Sequence, residues 1–137
     1  MADDCVFCKI AKGEIPASKV YEDKNYLVFL DIMPANKGHL LVIPKKHYLS
    51  LEEMPEKAAT GLILIEQKAI KAMVKTLNPD GYNCLQNNHF AAGQLIPHAH
   101  VHIIPRYNSD RFKLDWPHIS YDSGELDEFT RKIKKGW

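Results

Sequence analysis

The sequence lacks the features that mark membrane-spanning, disulfide-rich and nucleic-acid-binding proteins. Its 137 residues include only three cysteines, and 18 Lys+Arg against 17 Asp+Glu leave a net charge of +1. Its longest apolar runs are far shorter than the roughly 20 residues that a membrane helix needs. A near-neutral charge argues against an affinity driven by many phosphate contacts, although a small nucleotide needs only a local pocket. We therefore expect no membrane and no nucleic acid among its partners.

Neither a leader peptide nor a disulfide framework is expected. Met1-Ala2-Asp3-Asp4 is acidic, and no apolar run of signal-peptide length follows it. Three cysteines cannot all pair with one another, which favours a reducing compartment. The length fits one domain over residues 1–137 that can bury a core without disulfide bonds. The sequence thus predicts a single cytoplasmic domain.

Hydrophobic periodicity predicts an α+β fold with an antiparallel five-stranded sheet, a main helix and a C-terminal helix. Strands are expected over residues 19–22, 26–30, 39–44, 82–87 and 98–105, with a hairpin turn at 23–25. A short amphipathic helix over 5–12 ends at Gly13. The main helix runs from about 56 to 77, where Asn78-Pro79 closes it, and a C-terminal helix opens at 123–126.

Histidine is the unusual residue, because three of the seven fall within five positions. In His98-Ala99-His100-Val101-His102, side chains should alternate between the two faces of a strand. The imidazoles would then line one face about 7 Å apart, while Ala99, Val101 and Ile103 pack into the core. The pattern favours a pocket walled by histidines. It is also compatible with a histidine-rich surface strand or with a zinc site of three histidines.

The histidine motif and the segments around it resemble the histidine triad superfamily of nucleotide hydrolases and transferases. The triad followed by Ile103-Ile104-Pro105-Arg106 is similar to the family signature. Further matching segments occur in the family's order: residues 5–10, 13–16, 20–23, 29–32 and 38–47, then Asn87 and Ala92-Gly93-Gln94. The resemblance covers most of the chain and implies the α+β fold of this family. The residues after Arg106 diverge.

The resemblance implies covalent catalysis. His100 would attack the α-phosphorus of a nucleoside 5′-phosphate conjugate and form a nucleotidyl-imidazole, which water then hydrolyses. The nucleophile must be neutral, so its other ring nitrogen should donate to a backbone carbonyl. His102 would contact the phosphate oxygens together with Asn87 and Gln94, and His39 would complete the catalytic site.

The resemblance also implies a purine nucleotide pocket. Asp31 would accept hydrogen bonds from the ribose hydroxyls, and Gly93 would belong to the loop at the phosphate. Apolar walls around the base would come from Phe7, Ile10, Phe29 and Ile32.

Taken alone, each of these residues has a simpler interpretation. Asp31 could cap the turn at Met33, Phe29 and Ile32 could be core residues, and Gly93 could supply a positive φ. Asn87 and Gln94 could be ordinary loop residues. Their occurrence together with the triad favours the functional interpretation.

Leu95 and Pro97 depart from the family pattern. Phosphoramidase-type relatives usually carry a hydroxyl residue where Leu95 stands, near the leaving group, and leucine cannot donate a proton. Leu95 and the Ile103-Ile104-Pro105-Arg106 ending therefore favour a dinucleoside polyphosphate hydrolase over a phosphoramidase, without deciding between them. A purine nucleotide-binding adaptor with little turnover is the alternative, and the complete triad argues against it.

Cys5-x-x-Cys8 has zinc-knuckle spacing but no second close pair. The residues alone leave open a metal site or a helix that happens to carry two cysteines. A redox motif is less favoured, because no thioredoxin-like pattern surrounds the pair. The resemblance to a bacterial-type branch implies that Cys5, Cys8, His47 and His98 bind one structural zinc. Four protein ligands would close the tetrahedron and leave no position for a catalytic water.

The main helix carries two apolar stripes. One contains Leu62, Ile65, Ala69 and Met73, and the other contains Ile63, Ile70, Val74 and Leu77. One stripe is enough for packing on a sheet, so the second predicts a partner. The family's pairing of this helix and the strand at 82–86 across a two-fold axis implies a homodimer. The alternative is a helix buried on two sides within one chain.

Overall fold

A computed structural model describes residues 4–137 and has the predicted α+β architecture. The helices are α1 (Val6–Lys12), α2 (Glu56–Leu77) and α3 (Glu125–Lys134). The strands are β1 (Lys19–Glu22), β2 (Tyr26–Leu30), β3 (Leu40–Pro44), β4 (Gly81–Leu85) and β5 (Val101–Arg106). They form one antiparallel sheet in the order β1-β2-β3-β5-β4. Within residues 4–137, none of the helices has the length and apolarity to span a bilayer.

The central strands are covered on both faces, which explains their nearly continuous apolar sequences. On one face, Val28, Val42 and Val101 pack against the buried stripe of α2. On the other face, a second cluster joins β2 and β3 to α1: Phe7, Ile10, Leu27, Phe29, Leu41 and Ile43, together with Cys5 and Cys8. The sheet therefore separates an α2 side from an α1 side.

The predicted stripe of α2 is confirmed, since Leu62, Ile65, Ala69 and Met73 are all buried. Most of the second stripe is not covered by the rest of the chain, although Ile70 is partly buried against the core cluster. Ile63, Val74 and Leu77 are 56%, 40% and 42% exposed. The interpretation of a helix buried on two sides within one chain is therefore wrong for the described residues.

Several predicted boundaries are corrected. β5 begins at Val101 rather than 98, because the Ala99 N–H donates to the Tyr48 carbonyl (2.7 Å) and the ladder with β3 starts at Val101 opposite Val42. β3 begins one residue later than expected, and β4 covers 81–85 rather than 82–87. α3 forms as predicted, but its apolar side chains Leu126, Phe129 and Ile133 are exposed.

Candidate active site and metal centre

His100 immediately precedes β5, His102 is the second residue of β5, and both face the α1 side of the sheet. The Phe7 ring centroid is 5.1 Å from that of His100 and 5.6 Å from that of Phe29. Ala99 and Val101, between and beside the histidines, pack into the α2 core, as the alternation predicted. The expected spacing of the imidazoles is wrong. Their ring centroids are only 4.8 Å apart, because the two rings lean together edge to face across the wider spacing of their Cα atoms.

The tautomer of His100 is defined by its backbone partner. Its Nδ1 lies 2.6 Å from the carbonyl oxygen of His98. A carbonyl can only accept, so Nδ1 carries the proton and Nε2 keeps a lone pair. Burial lowers the pKa of His100, because removal from water disfavours the charged ring. His100 is therefore held neutral with Nε2 available as a nucleophile.

His39 and His102 form a directional pair. The Ala35 N–H donates to His39 Nδ1 (3.1 Å), so a neutral His39 carries its proton on Nε2. That nitrogen lies 2.9 Å from His102 Nδ1 and donates to it. His102 must then carry its own proton on Nε2. Burial lowers the pKa of His39, and burial lowers the pKa of His102 to about 4. Beside a lone pair on His100, the site thus holds an N–H donor on His102.

Asp31 serves two neighbours in this structure. Its Oδ1 accepts from the Met33 N–H (2.8 Å), which is the capping role proposed as the simpler interpretation. Its Oδ2 lies 3.8 Å from His39 Nε2. One carboxylate oxygen therefore turns toward the histidines while the other holds the turn.

The residues expected around a base do not all share one environment. Phe7, Ile10 and Phe29 are buried in the α1-side cluster. Ile32 is 91% exposed. Phe7 therefore lies between Phe29 and His100, with which its ring makes edge contacts, and Ile32 lies outside the buried cluster.

Gln94 is a brace of the loop that follows β4. Its buried side chain accepts from the His89 N–H at Oε1 (2.6 Å) and donates from Nε2 to the Leu49 carbonyl (2.7 Å). Gly93 takes the left-handed conformation (φ 85°) that was its simpler interpretation. A Cβ on Gly93 would meet the Asn87 amide nitrogen at 3.8 Å. The predicted loop residues thus lie together, and Gln94 makes one hydrogen bond inside the loop and one to Leu49.

Sequence reasoning missed His89 and Glu52. His89 has φ 67° and ψ 162°, a backbone region that is essentially restricted to glycine. Its Nε2 lies 2.5 Å from Glu52 Oε1, and this contact lowers the pKa of Glu52 to about 2. Nearby, the Leu51 N–H donates to the Asn88 side chain (2.8 Å). The loop is thereby fastened to residues 49–53. Nothing in the spacing of His89 and Glu52 along the chain indicates this pair.

The four predicted metal ligands converge on one point. Cys5 Sγ and Cys8 Sγ lie 3.4 and 3.5 Å from His98 Nδ1, and Cys8 Sγ lies 3.3 Å from His47 Nδ1. A zinc tetrahedron with Zn–S near 2.3 Å and Zn–N near 2.0 Å requires S···N edges of about 3.5 Å. The ligand atoms of all four residues lie within 4.8 Å of one another.

The tautomer of His98 fits a metal ligand. Its Nε2 lies 2.8 Å from the Pro44 carbonyl and must carry the proton, which leaves the Nδ1 lone pair directed at the two sulfurs. Burial lowers the pKa of His98 to about 4. Two thiolates and two neutral imidazoles form a donor set that zinc prefers, so the residues present fit the ion. His98 faces this cluster and is not part of the His39–His102 pair.

Comparison with known proteins gives a consistent result. The HIT domain family model matches residues 12–109. Adenosine 5′-monophosphoramidase of Schizosaccharomyces pombe is 38% identical over 135 residues, covering 95% of this chain and 98% of that protein. Adenylylsulfatase of Arabidopsis thaliana is 46% identical over 110 residues, covering 80% of this chain and 56% of that protein.

Two solved structures extend the likeness to three dimensions. A Streptococcus mutans protein is 44% identical with a TM-score of 0.92, over 98% of this chain and 85% of that one. A zinc-bound histidine triad family protein of Mycobacterium smegmatis is 34% identical with a TM-score of 0.77, over the full length of both chains.

Proposed function

Since the chain belongs to the HIT family, we propose that it hydrolyses nucleoside 5′-phosphate conjugates through a nucleotidyl-His100 intermediate. One observation carries this proposal. The carbonyl of His98 fixes the proton on His100 Nδ1 (2.6 Å), and the His39–His102 pair fixes a proton on His102 Nε2 (2.9 Å). A nucleophile and a hydrogen-bond donor are thus prepared side by side before any substrate binds.

In the first step, the Nε2 lone pair of His100 forms a bond to the α-phosphorus. The bond from phosphorus to the leaving group breaks, and the leaving group departs with that electron pair. His100 becomes a positively charged nucleotidyl-imidazolium. Its Nδ1–H still donates to the His98 carbonyl, and the positive charge strengthens this hydrogen bond. The His102 Nε2–H donates to a non-bridging phosphate oxygen. In the second step, water attacks the phosphorus and the P–N bond breaks, with its electron pair returning to His100 Nε2. One proton of the water stays on the phosphate of the nucleoside monophosphate, the other is released to solvent, and His100 is neutral again.

The nucleotide is proposed to lie on the α1 side of the sheet. Phe7, Ile10 and Phe29 would contact a purine base beside His100, with Ile32 closing over it from the exposed turn. The Asp31 carboxylate, whose Oδ2 is not used by the turn, would accept from the ribose hydroxyls. Asn87, Gly93 and Gln94 would contact the phosphates from the loop after β4, where the remaining N–H of the Gln94 amide has no partner among the bonds described above.

Adenylate conjugates are the proposed substrate class, because the similar proteins are named an adenosine 5′-monophosphoramidase and an adenylylsulfatase. Leu95 is 83% exposed and offers no proton to a leaving group. We therefore propose a preference for leaving groups that depart as stable anions, such as sulfate or a polyphosphate, over amines, which need protonation.

Structural zinc, a homodimer and a cytoplasmic location complete the proposal for residues 1–137 as one domain. Zinc is supported by the geometry of Cys5, Cys8, His47 and His98. A two-fold pair is supported by β4, which is an edge strand, and by the uncovered stripe of α2. The reducing cytoplasm is supported by Cys5, Cys8 and Cys84, which form no disulfide in the described chain.

Turnover of a panel of adenylate conjugates by the wild type and His100→Ala tests the proposed function. We expect the variant to keep its circular dichroism spectrum and to lose about 10³-fold or more in kcat, because the nucleophile is removed. His118→Ala, which changes an exposed histidine outside the site, is the control and should be fully active. A His100→Ala rate within about tenfold of wild type contradicts the assignment. Binding of AMP without turnover of any conjugate would support the nucleotide-binding adaptor instead.

A further inference from the structure

A cleft of about 630 Å³ lies where the β1–β2 turn, the end of β3 and the first turn of α2 meet. Four lysines line it: Lys24 at the turn, Lys45 and Lys46 after β3, and Lys57 on α2. Tyr26, which also lines the cleft, belongs to the core cluster on the α2 side of the sheet. The cleft is therefore on the opposite face of the sheet from His100, and the proposed hydrolase mechanism makes no use of it.

The positive charge of this lysine cleft is mostly unneutralised. Lys45 pairs with Glu22 at 2.7 Å, and Glu22 also accepts from Lys19 at 2.9 Å. Within residues 4–137, no ion pair involves Lys24, Lys46 or Lys57. Since the whole chain has a net charge of only +1, this concentration of cations is a local feature. Like charges gathered around one cavity repel, and a bound anion relieves that repulsion.

Besides Glu22, two carboxylates belong to the segments that form the cleft, Asp23 and Glu56, and neither lines the cavity. Asp23 Oδ1 accepts from the backbone N–H groups of Asn25 and Tyr26, each at 2.7 Å, and its Oδ2 accepts from the Tyr21 hydroxyl at 2.8 Å. Glu56 precedes Lys57 on α2 but is not among the residues that line the cavity. Asp23 keeps its charge while it accepts these hydrogen bonds, and it interacts electrostatically with Lys45. Within residues 4–137, the lysines of the cleft without an ion pair are therefore Lys24, Lys46 and Lys57.

The walls of the cleft are held in place by contacts between elements. The Tyr26 hydroxyl donates to the Ala58 carbonyl (2.8 Å), which joins β2 to α2. Gly61 makes this approach possible, since a Cβ there would meet the Tyr26 hydroxyl oxygen at 2.0 Å. The Lys45 N–H donates to the Asn25 carbonyl (2.7 Å), which joins β3 to the hairpin turn. The four lysines therefore project from elements that are fixed relative to one another.

We propose that the lysine cleft is a second ligand site, which binds a small anion carrying two or more phosphate groups independently of the nucleotide at the triad. Lysines on three walls require a ligand with several charges, because one charge cannot approach all of them. Ammonium groups act as point charges that suit tetrahedral phosphate oxygens, and no arginine fork for a planar carboxylate lines the cavity. The volume is in the range that small-molecule sites occupy.

Calorimetric titration with inorganic tripolyphosphate at low ionic strength tests this site without relying on turnover. The wild type should bind, and Lys46→Gln/Lys57→Gln should weaken the affinity by about tenfold or more, because two charge-assisted contacts are lost. The matched control Lys75→Gln/Lys113→Gln removes the same charge from exposed lysines elsewhere and should stay within about twofold of wild type. Thermal unfolding of both double variants verifies that they fold.

A second titration separates the lysine cleft from the triad. With AMP present at saturation, tripolyphosphate should bind with unchanged affinity, and in NMR spectra it should shift resonances of Tyr26 and Tyr48 rather than those of His100. The proposal is overturned if the wild type shows no binding, if both double variants weaken binding equally, or if AMP displaces tripolyphosphate. None of these outcomes depends on whether His100 is a nucleophile.

Discussion

The tautomer of His100, the proposed nucleophile, is fixed by the backbone of another histidine. The carbonyl that fixes its tautomer belongs to His98, whose side chain faces the two cysteines. His98 thus connects the two sites: its side chain contacts the two cysteines and its carbonyl contacts the ring of His100. Because a shift of His98 would move the acceptor of the His100 Nδ1 proton, we expect the geometry of the cluster to affect the reactivity of His100.

His89 stores backbone strain beside this site. A non-glycine residue at φ 67° and ψ 162° costs of the order of 1–3 kcal/mol, and the Glu52 pair holds it there. We predict that His89→Gly unfolds with a free energy at least about 1 kcal/mol greater than His89→Ala. Both variants lose the contact with Glu52, but alanine keeps the backbone strain and glycine removes it. Urea denaturation of the two variants measures the difference.

Phe90 supplies the control for this comparison. It is the neighbouring exposed residue and is not among the described positions with positive φ. Phe90→Ala should be more stable than Phe90→Gly, since glycine loses more conformational freedom on folding. If His89→Ala is also more stable than His89→Gly, the loop is not strained at His89.

At the scale of residues, the sequence predicts which side chains meet better than it predicts how they are oriented. The alternation along residues 98–102 and the family pattern place His39, His100 and His102 together, and the structure has them in contact. The same pattern is silent on rotamers. It does not indicate that Asp31 would divide its two oxygens between a turn and the histidines, or that Gln94 would brace its own loop. Such choices depend on neighbours distant in sequence, here Leu49 and His39.

At the scale of elements, the metal cluster joins α1 to the start of β5. Cys5 and Cys8 come from the N-terminal segment, and His98 comes from the residues just before β5. α1 has only seven residues, too few to be stable as an isolated helix. Zinc ligation would therefore fasten α1 to the sheet where the helix has little stability of its own.

We predict one zinc per chain held by Cys5, Cys8, His47 and His98. Elemental analysis of untagged protein purified without added metal should give about one equivalent. Because ligation is coupled to folding, a chelator should lower the melting temperature by roughly 10 °C or more. Cys8→Ser should lose the metal, whereas Cys84→Ser, at an exposed cysteine outside the cluster, should retain it. Metal-free protein whose melting temperature does not respond to chelation would refute the site.

Element predictions succeed where periodicity dominates and fail at the ends. The apolar spacing of α2 places it correctly over residues 56–77, because many apolar residues recur at the same helical spacing. β5 starts three residues later than the alternation indicates, because Ala99 bonds to Tyr48 and not to β3. An alternating pattern records which face a side chain takes, and it continues past the point where the ladder hydrogen bonds stop.

At the scale of the whole molecule, much apolar surface is left uncovered by one chain. β4 ends the sheet, and the second stripe of α2 lies exposed. The segment after β5 adds further exposed apolar side chains, among them Trp116, Ile119, Phe129 and Ile133. Exposed apolar surface on this scale marks an interaction face. The strand order that leaves β4 at the edge could not be predicted from periodicity, which indicates strands but not their neighbours.

We predict a homodimer that buries the second stripe of α2. Light scattering at micromolar concentration should give twice the 15.7 kDa of one chain. Val74→Glu places a charge in the stripe and should shift the protein toward the monomer, because a buried unpaired charge is costly. Ser18→Glu adds the same charge at an exposed position near β1 and should leave the dimer intact. A wild-type mass of one chain would show that the exposed stripe has no second copy on it.

The central claim is that His100 carries the nucleotide covalently, and trapping that intermediate tests it most directly. Wild-type protein is mixed with an adenylate conjugate that has a good leaving group, quenched within the first turnover, digested and analysed by mass spectrometry. We predict an adenylyl group on His100, because its Nε2 lone pair is the one that the His98 carbonyl leaves available for attack. An adenylyl group on His98 or His102, or a full burst of product with no adduct on His100, would contradict the account.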